Sequence, residues 1–140
     1  MLERLGCMLS LFFALGAPPI SQAHDIVGTW KAVTYEIDGQ AHPMQGLFIF
    51  TNKYYSANVR FRLDAAPADN ANGNAGPYTR DGDRIVFKQW VQVHVRPGDR
   101  EKPILVREGP DESADYRLEG DRLILVFPSR NRYVLERMAE

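Results

Sequence analysis

Cysteine is nearly absent from this chain: the single thiol among 140 residues is Cys7, inside the first apolar run. A domain built from the rest has no disulfides and must be held by its core alone. The same lack removes Cys-His nucleophilic chemistry, and no serine stands in a nucleophile motif that would suggest a Ser-His-Asp hydrolase. Histidine is scarce too. His24, His42 and His94 are scattered, with no His-x-His or His-Glu-x-x-His spacing for a metal. No glycine-rich loop is placed to cradle a phosphate, so no cofactor is expected. The formal net charge is only −1. That gives no electrostatic footprint for nucleic acid, and no polybasic stretch for an anionic membrane surface. After residue 23 there is no sustained helical period.

The amino terminus reads as a secretion signal. Arg4 opens it, an apolar run extends from Leu5 to Ala17, Pro18-Pro19 breaks it, and Ser21-Gln22-Ala23 offers a small-x-small cleavage site. The run falls short of the roughly 20 residues needed to span a bilayer. Cys7 follows Arg4-Leu5-Gly6 with no hydrophobic stretch before it, which argues against lipidation. Cleavage after Ala23 is expected, leaving residues 24–140 as one domain, periplasmic or secreted, with no membrane insertion. A domain of that size buries roughly two thirds of its unfolded surface. The cut would also make His24 the first residue. Its α-amine and imidazole form a weak copper-chelating candidate that would need His42 or His94 to complete it; otherwise it is an incidental first residue.

What the chain does have is period two almost throughout, the mark of half-buried strands. The segments are Trp30–Ile37, Leu47–Thr51, Tyr54–Leu63, a short Tyr78-Thr79 piece, Arg84–Val95, Ile104–Arg107, Tyr116–Leu118, Arg122–Phe127 and Arg132–Met138. Turn signals separate them: Asp38-Gly39 with Pro43 in the loop, Asn52-Lys53, Asp81-Gly82-Asp83 and Glu119-Gly120-Asp121. Asp64–Gly76, rich in Ala, Asn, Gly and Pro, reads as a long mobile loop. Arg96–Pro103 reads as a charged loop. The prediction is an all-β antiparallel up-and-down meander closed into a barrel of about eight to nine strands.

Gly28-Thr29-Trp30-Lys31 opens the first strand. Thr34-Tyr35-Glu36, Asp38-Gly39, Pro43, Gly46-Leu47 and Phe50-Thr51-Asn52-Lys53-Tyr54-Tyr55-Ser56-Ala57 follow, with Glu119-Gly120-Asp121-Arg122-Leu123-Ile124-Leu125 later. In these segments, about half of the domain, the chain resembles the lipocalin-like domain family of small bacterial proteins. The resemblance implies a lipocalin-like β-barrel. It also implies a structural closure in which Arg137 packs across the ring of Trp30 at the barrel base. Strand parity agrees, since Tyr133, Leu135 and Arg137 share one face. The charged Arg96–Pro103 stretch departs from the family pattern around a cavity entrance.

In such a barrel the expected lining is Tyr55, Val59, Phe61, Phe87, Val91, Tyr116, Leu125 and Leu135, suited to a small hydrophobic or aromatic guest or, equally, to packing on itself. Burying about 300 Å² of apolar guest would contribute roughly 7 kcal/mol, much of it offset by association entropy. Parity along the first strand places Glu36 on the face of Trp30, Ala32 and Thr34. There it is either a buried general base for a cavity enzyme, such as an isomerase or cyclase, or a solvated rim carboxylate. The third expectation is a protein partner: a filled barrel acting through its loops, for example as an inhibitor of an exported hydrolase.

Overall fold

Ten strands, all antiparallel, account for the regular structure, and no helix occurs among the described residues. The computed structural model describes residues 25–63, 69–95, 104–106 and 108–139. The expected signal segment, Cys7, His24 and Arg96–Pro103 lie outside these residues. In chain order the strands are β1 (Gly28–Ile37), β2 (Gln40–Phe50), β3 (Tyr54–Phe61), β4 (Asn70–Asp81) and β5 (Arg84–Phe87). They continue with β6 (Val91–Val95), β7 (Ile104–Val106), β8 (Glu112–Glu119), β9 (Arg122–Val126) and β10 (Arg132–Arg137).

β1 to β5 pair in sequence order, β8 to β10 likewise, β5 pairs with β8, and β1 returns to β10 to close the ring. β5 and β6 both lie along β4 and together form one long wall strand, so eight strands make the barrel. β7 is an extra strand hanging on β6. The meander predicted from alternation is therefore the observed architecture. Both Asp-rich turns place glycine at the first turn residue in the left-handed region, Gly82 at φ 56° and Gly120 at φ 59°. A Cβ is disfavoured in that backbone conformation.

Two irregularities decide which side chains face inward. Ala32 pairs with Leu135 but Thr34 with Val134, so Val33 is an extra residue in β1. Phe87 pairs with Tyr78 but Val91 with Ala75, so one extra residue is taken up among Lys88, Gln89 and Trp90. Such a bulge shifts the two-residue alternation by one and exchanges the faces beyond it. Gly76 sits at this point because a Cβ there would come within 1.8 Å of the Lys88 carbonyl oxygen.

The segment read as a loop through Gly76 is a strand from Asn70 onward. Its small polar residues have low strand propensity. They are fixed because β4 is bonded on both edges, to β3 and to β6. β2 likewise begins earlier than the sequence suggests, taking in His42 and Pro43; His42 is buried.

The core is one cluster filling the barrel. At its base Trp30, Leu123 and Leu135, with Ile85 near them in the ring, are fully buried, and Ile26 caps the ring from the segment before β1. Trp30 satisfies its indole by donating Nε1–H to the Ile26 carbonyl at 2.7 Å. Next to this layer Phe48 and Phe50 stack on one another, and Phe50, Tyr55, Tyr78 and Phe87 pack as tilted and edge-on rings.

Candidate functional site

The two ends of the barrel differ in chemistry. At the base the Arg137 guanidinium lies 4.1 Å from the centre of the Trp30 ring. Its Nη1 donates to the Val27 carbonyl at 3.1 Å and its Nη2 to the Asp25 carbonyl. Asp25 in turn takes a 2.6 Å hydrogen bond from Arg80. Burial works against the Asp25 carboxylate, but Arg80 and the Ile26 amide outweigh it and hold the pKa below its ordinary value. Cation–π stacking, backbone acceptors and an ion pair thus seal this end.

The opposite end is a mouth of aromatic and polar groups. Tyr35 meets Phe61 with ring centres 4.7 Å apart and Tyr133 at 4.9 Å, both edge-on. Phe127 packs on Tyr133 at 4.8 Å. Below them an internal cavity of about 30 Å³ is lined chiefly by Tyr55, Asn72, Asn74, Phe87, Glu112 and Tyr133. That is room for one water-sized group. Three buried polar atoms on this wall, Tyr55 Oη, Asn72 Oδ1 and Asn74 Oδ1, have no hydrogen-bond partner among the described residues. A buried polar atom left so costs about 1–3 kcal/mol until something supplies the bond.

Glu112 is the ionisable group of this mouth. Its pairing partner across the wall is Phe87, which points inward, and Gln89 Nε2 donates to its Oε2 at 3.2 Å. Burial raises its pKa above the ordinary carboxylate value. Its charge adds to the burial that raises the pKa of Tyr55, Tyr35 and Tyr133. The Asn72 side chain lies near enough to the Tyr133 hydroxyl to counter part of the rise in its pKa. Among the described residues no three His, Cys, Asp or Glu side chains are gathered to hold a metal.

The residues expected from sequence distribute unevenly. Tyr55, Val59, Phe87 and Leu125 line the cavity. Phe61 and Leu135 are buried, the first in the aromatic mouth and the second in the base layer, and Tyr116 is half-buried against the core. Val91 is a correction: it is 46% exposed and lies on the outer wall, because the bulge before it exchanged the faces. Glu36 is a second correction for the same reason. The extra Val33 turns Tyr35 inward against Tyr133 and leaves Glu36 on the outer face, ion-paired with Arg132. The carboxylate that lines the cavity, Glu112, is exposed as a residue and was within reach of the pattern. Tyr116 and Leu118 alternate onto the inner face, and two more steps back along an unbroken strand give Ala114 and Glu112.

Outside the barrel, Leu47, Ile49, Tyr54, Trp90 and Val91 are exposed. Ile49 and Val91 lie in one row across β2, β3, β4 and β6, and Leu47 in the next. An open depression of about 360 Å³ runs along this wall over Ala71 and Gly73. No known protein family, curated protein or solved structure matches the chain.

Proposed function

We propose that this chain is an exported, lipocalin-like barrel that binds a small molecule at the mouth opposite Trp30. The observation that carries the reading is the set of buried polar atoms with no partner among the described residues, grouped around a cavity at the open end of a barrel sealed at the other. Gly28-Thr29-Trp30 on β1 with Arg137 stacked on the indole supports the kinship with lipocalin-like proteins. The cavity admits only a water-sized group, so the buried part of the guest is small and polar. Its larger, hydrophobic or aromatic part rests among Tyr35, Phe127 and Tyr133 and projects through the mouth.

The test is native mass spectrometry of protein purified without detergent, beside Ala57→Leu, which fills the cavity from its wall. The expected result is an added mass lost on denaturation from the parent and missing from the variant. A bare parent chain, with no member of a panel of small aromatic and aliphatic molecules shifting the amide resonances of residues 55–59, 72–74 and 112, would refute it.

A second reading, a barrel that binds protein through its outside, is favoured by the apolar face carrying Leu47, Ile49, Tyr54, Trp90 and Val91. Under it, Ile49→Lys with Val91→Lys abolishes function while leaving the mouth unaltered.

A further inference from the structure

We infer that the polar end of the guest is a protonated amine: the mouth is built to receive a primary ammonium group. The inference rests on the small-molecule reading above and names the chemical class that reading leaves open.

The chemistry of the wall selects the class of guest. The polar atoms offered to the cavity are two amide oxygens, Asn72 Oδ1 and Asn74 Oδ1, the Tyr55 hydroxyl and the Glu112 carboxylate. No lysine or arginine lines it. The Tyr55 hydroxyl donates as well as accepts while the other three groups accept, so the balance is toward acceptors and carries one negative charge. Anionic guests are repelled, and a neutral alcohol brings a single donor, leaving acceptors unmet. A primary ammonium brings three donors and a positive charge in the space of one water, the size of group a cavity of about 30 Å³ admits.

The rest of the wall fits the same cation. Phe87 and Tyr133 line the cavity beside Glu112, and aromatic rings attract a desolvated ammonium. The Tyr133 hydroxyl lies near the Asn72 side chain, and Gln89 engages one oxygen of Glu112. Glu112 is also the side chain that gains most from such a partner. Partial burial of its carboxylate raises its pKa above the ordinary value, although the residue as a whole is exposed.

The experiment is a titration of the ¹⁵N-labelled protein by NMR at pH 7 with n-butylammonium, 1-butanol and butyrate, three probes sharing one chain length. n-Butylammonium is expected to shift the resonances of Asn72, Asn74 and Glu112 and to bind at least tenfold more tightly than 1-butanol, with butyrate weakest. Glu112→Gln should weaken the amine tenfold or more and leave the alcohol unchanged. Asn74→Asp, which adds a second charge, should strengthen the amine. Thermal unfolding of both variants verifies that they fold. If the amine and the alcohol bind equally, or Glu112→Gln affects them alike, the ammonium inference falls and the small-molecule reading stands. If none of the three probes nor any other small guest perturbs the mouth, both fall together.

Discussion

Replacing Arg137 with methionine tests whether the base of the barrel is a working closure. Methionine retains an apolar stem of similar length and removes the guanidinium. What is lost is the 4.1 Å stacking on Trp30 and two hydrogen bonds to the Val27 and Asp25 carbonyls. Stacking of a partly desolvated cation is worth about 1–2 kcal/mol. The two carbonyls can turn to water, so their share is discounted to about 1 kcal/mol in total. The expected loss is about 2–3 kcal/mol, or about 8–12 °C in Tm at roughly 4 °C per kcal/mol for a domain of this size. Urea unfolding followed by tryptophan fluorescence measures it. Arg137→Lys should recover less than half, because an ammonium keeps the charge but lacks the planar fork that serves ring and carbonyls together. Trp30→Phe and Arg137→Met combined should show a coupling of about 1 kcal/mol. A loss from Arg137→Met under about 0.5 kcal/mol would refute the reasoning and make the stacking incidental.

Three further outcomes follow from the wall and the mouth. Gly76→Ala drives a Cβ to 1.8 Å from the backbone oxygen of Lys88, so it should cost about 3 kcal/mol or more, seen as a large fall in the urea midpoint. The Glu112 pKa is raised in the folded protein, so the unfolded chain binds fewer protons between the ordinary carboxylate pKa and the raised one. Stability should therefore fall as pH rises through that window, and Glu112→Gln should abolish the fall and leave the protein more stable at pH 7; denaturant midpoints from pH 4 to 8 read it. Glu36→Gln should change stability by less than about 1 kcal/mol and leave guest binding untouched, because its ion pair with Arg132 lies on the outer wall.

The barrel was legible because alternation is a property each strand carries locally. Tyr55, Ala57, Val59 and Phe61 announce an inner face without reference to anything else. Bulges are not local in that sense. Whether Val33 or the Lys88–Trp90 stretch absorbs an extra residue depends on the partner strand's register, and both Glu36 and Val91 were misplaced by it. β4 was hidden for a related reason: Asn, Ala and Gly form a strand there because two neighbours bond them, a fact of the assembled sheet. The chemistry of the mouth was half visible. Tyr55 and Phe87 followed from parity. Glu112 needed only the extension of a strand already recognised at Tyr116, whereas Asn72 and Asn74 sat in a stretch that reads as loop.

Among the described residues the wall between β5 and β8 pairs over Arg84–Phe87, with the Tyr116 amide also donating to the Asp83 carbonyl at 2.7 Å, and beyond Phe87 β6 pairs instead with β4 and β7. What bridges that notch is Gln89, whose carbonyl accepts from the Gly109 amide at 2.9 Å and whose side chain donates to Glu112. Among the described residues the barrel therefore has a hem with one stitch in it, and the stitch is tied to the carboxylate that lines the cavity. Loosening at Gln89 would part the wall beside the mouth while the sealed base stays shut. Amide exchange along residues 84–89 and 109–115 should accordingly outpace that of β1 and β10, and a bound guest should slow it.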